Sequence, residues 1–543
     1  MTSAEHTTKG TTSSSTGRTG KGRTGTADAD GPTGDPAGGA ADRFDVVIVG
    51  GGSAGAVLAN RLSADPDRRV LLLEAGQAYA PTDYPEVLTD PARVAGDADH
   101  DWGYTARTGL TDQDQPAPRG KALGGSSAVN AAVALRAPAD DFARWTERHG
   151  LTGWTYPEVL ESYKRLENTP TGSDAYHGRT GPFPIRQRTY DELTPSLKAF
   201  IDAAAALGHA RVDDLNGAEQ KGVAGYPVNV VSGVRINSAL AYLTPEVRER
   251  PNLVIAGDTE VDQILFDGTT ATGVVTVDGT TYGAGEVVLS AGSYGSPAIL
   301  LRSGVGPADD LRELGIPVVA DLPVGRRLQD QPFYYNVYAL TEEAGAMTPV
   351  SGALLWTASS EARGDELDVH VSATHLFDPA ASPTGGAIVL AVSVVRPDSV
   401  GTFRLRSRNP KDAPLIDYNF LAEARDERRM VEAVRRTREL ARHTPFAELV
   451  HSELAPGDAV QDDTQLTAAV KEQLAAYLHP TSTVPMGGDD DRWAVVDSLG
   501  AVRGVTGLRV VDASIFPDVP GTATNVTTIM AAEHIAAKVY RGE

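Results

Sequence analysis

The sequence predicts an α/β fold, and two features of its first ordered segment indicate this class. The run from Phe44 to Val49 is short, apolar and rich in valine, which is typical of a buried parallel strand. It leads through the glycine-rich segment Gly50–Gly55 into a helical pattern over 56–62, and a second apolar strand follows at 69–73. A strand, a glycine turn, a helix and a second strand in this order are typical of Rossmann-like domains, whose turn holds a dinucleotide phosphate.

Length and composition set broad limits on the rest of the chain. Its 543 residues are too many for one small core, and the 41% that are hydrophobic suffice for more than one domain. The absence of cysteine excludes disulfides, thiolate nucleophiles, cysteine-ligated metals and a flavin bonded through sulfur. The net charge of −23 argues against nucleic acid or anionic lipid as a main partner.

The sequence also carries predictions about location and order. No run of 18 apolar residues occurs, and the N-terminus has neither an apolar stretch of the signal-peptide type nor an Arg-Arg pair. We therefore expect no membrane span and a cytoplasmic location. Residues 1–42 contain 23 Gly, Ser and Thr residues and, apart from Met1, no large apolar side chain, so we expect a disordered tail there.

The glycines of the turn have separate physical roles in a dinucleotide site. Gly50 permits the tight turn, Gly52 lets the backbone approach a pyrophosphate, and Gly55 lets helix and strand pack closely. Glu74 ends the second strand, where a carboxylate accepts hydrogen bonds from the adenosine ribose. This acid disfavours NADP, whose phosphate it would repel, but the pattern does not separate FAD from NAD.

Three later segments add to this motif. Arg119–Asn130 combines glycines, small polar side chains and two basic residues, which suits a loop lying against an anionic ligand. Residues 286–297 read as a strand that ends in a small-residue turn before an apolar helix. Residues 507–514 read as another strand, which ends in an acid and small residues.

Taken together, these segments resemble the glucose–methanol–choline (GMC) family of FAD-dependent oxidoreductases. The resemblance runs from Phe44 to the last predicted helix and keeps the family's order of motifs. The motifs that carry it are Gly50–Gly55, Arg119–Asn130, Gly292–Gly306, His479–Gly487 and Asp512–Met530.

The resemblance implies a Rossmann-like FAD-binding domain interleaved with an α+β substrate domain that carries an antiparallel sheet. We predict the FAD-binding domain over 43–150, 235–330 and 485–543, and the substrate-binding domain over 151–234 and 331–484. Valine-rich strands are predicted at 253–256, 261–266 and 273–277, adjacent strands within 388–406, and a helix with a solvated, charged face over 425–442.

The resemblance also implies the residues that bind the cofactor. Asn130 matches a residue near the flavin ring, and Val261 a position whose backbone contacts adenine. Val129 stands where some members have a histidine bonded to the flavin, so we predict non-covalent FAD, and we expect no metal. The predicted cofactor-binding residues are Gly50, Gly52, Ser53, Ala54, Gly55, Glu74, Ala75, Arg119, Leu123, Gly124, Ser127, Asn130, Val261, Ala291, Asp512, Ala513, Asn525, Val526 and Thr527.

Removing hydride from an alcohol carbon requires that the hydroxyl proton leave as well. A positioned base with a pKa near neutrality accepts it best, and the ordinary pKa of histidine is about 6.5. His479 matches the family's catalytic histidine, and Asn525 is taken as its partner, a position that holds His or Asn in the family. The resemblance implies that His479 accepts the proton, that Asn525 bonds the developing alkoxide, and that flavin N5 accepts the hydride.

The other histidines have weaker claims. His177 and His534 are interpreted as structural, whereas His370 and His375 lie in a segment expected to face the substrate. Aromatic residues of the substrate segments are candidates for pocket walls or for core packing: Phe333, Tyr334, Tyr335, Tyr338, Trp356 and Phe377.

Several positions depart from the family pattern. Ser482-Thr483 follow the histidine where Gly-Thr is usual, Thr522-Ala523 lack the first Asn of a common Gly-Asn-Thr-Asn stretch, and Arg327 and Gln331 replace a frequent Asn and His. Because of these changes, the identity of the substrate does not transfer from any specific member of the family.

The leading hypothesis is therefore an enzyme that oxidises an alcohol or a hydrated aldehyde, with oxygen or another molecule as electron acceptor. The alternatives are a non-redox, lyase-type flavoprotein of the same fold, an NAD-linked dehydrogenase, and a catalytically silent flavoprotein that acts as a binding partner.

Overall fold

Two seven-stranded sheets, built from interleaved stretches of chain, form the framework of the protein. They were identified in a computed structural model that describes residues 43–542. The predicted disordered tail, residues 1–42, lies outside the described residues.

The first sheet is mainly parallel and has the Rossmann-like arrangement that the sequence predicts. Its central strands are buried on both faces, which explains their continuous apolar sequence. In spatial order its strands are Leu253–Ala256, Val70–Leu73, Arg43–Val49, Thr281–Leu289, Thr270–Thr276 and Val261–Asp267, and Leu508–Val510 also pairs with Thr281–Leu289. The helices Gly55–Leu62 and Thr524–Ala536 pack against each other beside this sheet.

The second sheet is antiparallel. Its strands in spatial order are Val450–Ala455, Pro332–Leu340, Ala387–Val394, Val369–Thr374, Ser351–Thr357 and Gly222–Gly225, and Ala475–Ala476 pairs with the start of Pro332–Leu340. The strands of each sheet fall within the chain segments predicted for the corresponding domain. Residues 43–542 nevertheless pack as one unit, so the domain boundaries themselves stay a prediction.

Both strands predicted within 388–406 form, as Ala387–Val394 and Thr402–Arg404, but they do not lie side by side in one sheet. Thr402–Arg404 leaves the second sheet and pairs with Leu415–Asp417 in a four-stranded sheet that also contains Thr105–Arg107 and Asp114–Pro116. Between the two strands, the carboxylate of Asp426 accepts hydrogen bonds from the backbone of residues 398 and 399, at 3.0 and 2.8 Å, and so stabilises the turn.

The charged helix predicted over 425–442 spans Ala424–Ala441, but its charges are not all solvated. Arg429 is fully buried and lies 3.0 Å from the carboxylate of Asp368, and it also pairs with Asp426. Part of the charge in this helix therefore holds it against the second sheet.

The other elements connect these sheets. The remaining helices are Glu86–Thr89, Ala139–His149, Tyr156–Leu166, Pro195–Ala206, Ser238–Tyr242, Pro245–Arg248, Gly292–Arg302, Ala308–Glu313 and Asp463–Gln473. The remaining strands form short pairs: Glu167–Asn168 with Phe183–Pro184, Arg186–Gln187 with Pro227–Val228, Val230–Val231 with Val234–Arg235, and Val305–Gly306 with Ala320–Asp321.

Candidate active site

A cavity of about 600 Å³ is lined by residues of both sheets. One part of its wall is the glycine turn with the ends of the parallel strands, and another is one face of the antiparallel sheet. A concave site of this size lies in the range that binds cofactors and small substrates.

The glycine turn is formed by close backbone packing. Gly50 has a φ of +96°, and a Cβ there would lie 2.6 Å from the carbonyl oxygen of Ser290. A Cβ on Gly55 would lie 1.9 Å from the carbonyl oxygen of Gly50. Gly52 differs, since the nearest atom to its Cβ would be the Cα of Gly125, at an ordinary 3.7 Å. The protein's own packing therefore does not require a glycine at this position. Gly52 lines the cavity, however, and a ligand that approaches the backbone closely would require one.

Glu74 is buried at the end of its strand and braces this turn. Its two carboxylate oxygens accept hydrogen bonds from the backbone N–H groups of Gly51 and Gly76, each at 2.8 Å. Burial raises the pKa of Glu74 to about 7, although these two hydrogen bonds act in the opposite direction. Each oxygen keeps a further lone pair for the hydroxyl groups of a ribose.

Most of the predicted cofactor residues meet around the cavity. The lining includes Gly50, Gly52, Ser53, Ala54, Glu74, Ala75, Arg119, Ser127, Asn130, Val261, Ala291, Asp512, Ala513 and Asn525. These residues come from six separate stretches of chain.

Five predicted cofactor residues do not line the cavity. Gly55 packs on the turn itself, and Leu123 and Gly124 lie behind it against Gly51 and Asn237. Val526 is buried in the last helix, and the hydroxyl of Thr527 bonds that of Tyr163, at 2.9 Å. These residues support the wall of the site from outside.

His479 lines the cavity, and Gln331 fixes the protonation of its ring. The side-chain N–H₂ of Gln331 lies 2.9 Å from the carbonyl oxygen of Val395 and 2.8 Å from that of Pro520, and carbonyls only accept. The amide oxygen of Gln331 must therefore be the atom that lies 2.7 Å from Nδ1 of His479. Because this oxygen accepts, Nδ1 carries the hydrogen, and Nε2 of the neutral ring keeps the free lone pair.

The surroundings of His479 favour its neutral form. Burial, and secondarily the positive charge of Arg119, lower the pKa of His479 to about 3. The backbone N–H of His479 donates to the buried carboxylate of Asp330 at 2.8 Å, and burial raises the pKa of Asp330 to about 7. Arg119 in turn donates to the carbonyl oxygen of Leu478, at 2.9 Å.

Asn525 lies at the start of the last helix and is tied to the glycine turn. Its amide oxygen accepts a hydrogen bond from the hydroxyl of Ser53 at 2.8 Å, which turns its N–H₂ group elsewhere. That nitrogen is buried and has no partner among residues 43–542. No hydrogen bond joins Asn525 to His479 within this part of the chain, so the two predicted catalytic residues share the cavity but are anchored separately.

The other histidines singled out in the sequence lie outside the cavity wall. His177 lies between the carboxylates of Glu167 and Asp214, at 2.6 Å from each, and His534 packs against Trp154, so both have structural roles. His375 is held by Thr194 and by a backbone carbonyl.

His370 is buried beside Trp356, and its ring nitrogens have no hydrogen-bond partner within residues 43–542. Its ring lies 6.4 Å from that of Tyr477, a cavity residue, but His370 itself is not part of the lining.

Sequence reasoning missed a set of hydroxyl groups in the cavity wall. The hydroxyl of Tyr477 lies 2.8 Å from that of Ser372, which lies 2.6 Å from that of Tyr226. Tyr477 stands two residues before His479, but Leu478 between them has a φ of +67°, so the segment is not extended and the spacing is no signal. Ser372 and Tyr226 carry no signal in the sequence either.

Of the aromatic candidates for pocket walls, Phe333 and Tyr335 line the cavity. Tyr334, Tyr338 and Trp356 are buried in the core, and Phe377 packs beside Phe333.

The cavity fits a dinucleotide on three observations. The glycine turn leaves room at Gly52, the acid Glu74 ends the neighbouring strand, and the unpartnered amide nitrogen of Asn525 offers a donor. The N-terminus of the helix Gly55–Leu62 directs its N–H groups towards the turn, which suits phosphate.

Comparison with known proteins decides the family. Two family models, both described as GMC oxidoreductase, match residues 44–333 and 397–532. This chain belongs to the GMC oxidoreductase family. Among its relatives is an oxygen-dependent choline dehydrogenase from Paraburkholderia phymatum, 36% identical over 92% of this chain and 93% of the relative.

Solved structures of this GMC oxidoreductase's relatives agree in fold. A pyridoxine 4-oxidase from Mesorbium loti superposes with a TM-score of 0.85 at 31% identity, over 92% of this chain and 99% of the other. An FAD-dependent oxidoreductase from Chaetomium thermophilum gives 0.81 at 26%, with the same coverage. The chain is an FAD-dependent oxidoreductase that acts on CH–OH donors. Within residues 43–542, no helix has the length and hydropathy needed to cross a bilayer.

Replacing Gly52 with Ala should weaken FAD binding without unfolding the protein. The added methyl meets only ordinary contacts in the protein but enters the cavity, so we expect roughly ten- to hundred-fold weaker binding. The measurement is the flavin content after purification together with a titration of the apoprotein, and circular dichroism checks the fold.

Gly55→Ala is the contrasting variant. Its methyl would collide with a backbone carbonyl, so it should prevent folding, whereas Gly52→Ala should fold and lose only FAD affinity. Wild-type FAD affinity in Gly52→Ala would contradict the cofactor placement.

Proposed function

We propose that this GMC oxidoreductase takes a hydride and a proton from a CH–OH group, in an alcohol or a hydrated aldehyde, with His479 as the base. The observation that carries the proposal is the hydrogen bond from Nδ1 of His479 to the amide oxygen of Gln331, because it leaves Nε2 free to accept a proton. FAD, when bound, supplies the hydride acceptor at its N5 atom.

Three properties of the site support His479 in this role. The low pKa of its ring keeps it in the neutral, proton-accepting form at ordinary pH, although it also makes the ring a weaker base than a histidine with a pKa near neutrality. The amide oxygen of Gln331 would stabilise the ring as it becomes positive, and the two carbonyls that hold Gln331 keep it from turning. His479 is half-buried in the cavity wall, where bound cofactor and substrate would shield its lone pair from water.

For Asn525 we propose a donor role through its side-chain nitrogen. That nitrogen is buried without a partner in the described chain, and such a group is costly unless a ligand satisfies it. The bond to Ser53 places it beside the cofactor turn, which supports contact with FAD as well as with the developing alkoxide.

Cytoplasmic location stays a prediction of the sequence.

We further propose that the FAD is held without a covalent bond. The chain has no cysteine, and Val129 lines the cavity where some family members have the bonding histidine. Acid precipitation of the purified protein should therefore leave all FAD in the supernatant, measured by its absorbance. Flavin colour retained in the washed pellet would contradict this.

Replacing His479 with Ala should slow anaerobic reduction of the flavin by an alcohol substrate by roughly 10²–10⁴-fold, the usual contribution of a general base. FAD content should stay at the wild-type level. Reduction of the variant at the wild-type rate would refute the role of His479, and wild-type conversion of an alcohol without bleaching of the flavin would indicate the non-redox alternative.

Asn525→Ala is the companion variant. A slower reduction with full FAD content supports contact with the alkoxide, whereas loss of FAD supports contact with the cofactor.

Admitting air to the reduced wild-type enzyme then shows whether oxygen or another molecule is the acceptor.

Changing Gln331 should alter the rate through the protonation of His479. In Gln331→Leu the ring loses its acceptor at Nδ1, so we expect roughly ten- to hundred-fold slower flavin reduction. In Gln331→Glu a carboxylate replaces the amide, which raises the pKa of His479.

The wild-type rate should be flat from about pH 5 to pH 8, because the active, neutral form persists well above a pKa of about 3. Gln331→Glu should instead lose activity as the pH falls within this range. An unchanged pH profile would show that Gln331 acts only in packing.

A further inference from the structure

The part of the cavity formed by the antiparallel sheet carries no charge. Alternate residues of three neighbouring strands line it: Phe333 and Tyr335, Val389 and Ala391, and Ser372 and Thr374. All six side chains are apolar or neutral. This face therefore matches an uncharged molecule and offers no counter-ion.

The carboxylates of the cavity lie elsewhere and are already engaged. Within residues 43–542, those in the lining are Glu74, Glu260 and Asp512, each beside a strand end of the parallel sheet. Glu74 bonds two backbone N–H groups, Glu260 pairs with Lys121 at 3.6 Å, and Asp512 accepts from the backbone of Gly292 at 2.9 Å and from two serines.

Next to His479 the electrostatics oppose a cation. Arg119 lines the cavity, and its charge is one of the causes that lower the pKa of His479. The nearby carboxylate of Asp330 is buried outside the lining, where one of its oxygens accepts from the backbone of Gln331 and of His479. A positive group on the substrate would meet this field without a partner.

The aromatic ring beside His479, that of Tyr477, is already covered by its neighbours. The ring of Tyr477 stacks on Phe333 with centroids 4.0 Å apart and packs against His479 at 4.3 Å. Tyr335 meets Phe333 edge to face at 5.0 Å. Because the rings are packed on one another, little of the face of Tyr477 is left for a cation–π contact.

We propose that the substrate is an uncharged alcohol with an apolar body, aromatic or branched aliphatic, and that the site rejects a quaternary ammonium alcohol. The inference rests on the proposed function, since it names the class of alcohol that His479 deprotonates. The proposed substrate differs from choline, the substrate in the name of the choline dehydrogenase relative.

The test compares two alcohols of the same shape with the holoenzyme. Choline has a positively charged quaternary nitrogen at the position where 3,3-dimethylbutan-1-ol has a neutral quaternary carbon, and the two are otherwise alike. We expect the neutral alcohol to bleach the flavin anaerobically and choline to be less effective by roughly two orders of magnitude or more, because a buried charge without a partner is costly. Titration of the oxidised His479→Ala variant, whose flavin should be reduced only slowly, reports binding separately from reduction through the flavin absorbance.

A designed pair of variants checks the cause. Thr374→Glu places a carboxylate in the neutral wall and should shift the preference towards choline, whereas Thr374→Gln, of the same shape, should not. Flavin content verifies that both variants fold.

Each outcome bears on one of the two proposals. Choline reducing the flavin as well as the neutral alcohol, or neither alcohol binding, overturns the substrate class. Preferential binding of the neutral alcohol without bleaching of the flavin supports the substrate class but refutes the proposed oxidation.

Discussion

The close packing of the glycine turn is the constraint on which the rest of the site depends. The backbone of Gly50 bonds Leu73, that of Gly51 bonds both Glu74 and Gly124, and the carbonyl oxygen of Gly52 accepts from Ser238. Stretches of chain that are far apart in sequence are therefore fixed to one another through four backbone groups of the turn. A side chain at Gly50 or Gly55 would separate them, because there is no space for a Cβ.

The chemistry that we propose is assembled on the opposite wall. Gln331 follows the loop that enters the antiparallel sheet, and its amide is held by carbonyl groups from residues 395 and 520. This network, rather than His479 alone, determines which ring nitrogen is basic. Burial and the charge of Arg119 keep the imidazole neutral, and we propose that the uncharged face of the antiparallel sheet selects the substrate.

The sequence predicted the parts of the fold that depend on short-range pattern. The strand at 43–49, the turn and the helix at 55–62 lie within twenty residues of one another, and their apolar periodicity and glycines determine them locally. The strand at 402–404 pairs with 415–417 rather than with 387–394, and the turn before it is held by a distant carboxylate, Asp426, which no local pattern reports. Likewise, the pairing of Tyr477 with Ser372 depends on sheet register, which no local pattern reports.

The sequence by itself determined the family resemblance, the dinucleotide turn, the candidate base His479 and the absence of a cysteine anchor for the flavin. The tertiary structure alone decided that Gln331 orients His479, that Asn525 is anchored to Ser53, and that the substrate wall is neutral. The physical reason is that residue type and spacing specify the local backbone geometry and the reactions that a side chain can perform. Hydrogen-bond partners and the charge around a cavity depend instead on which distant segments the folded chain brings together.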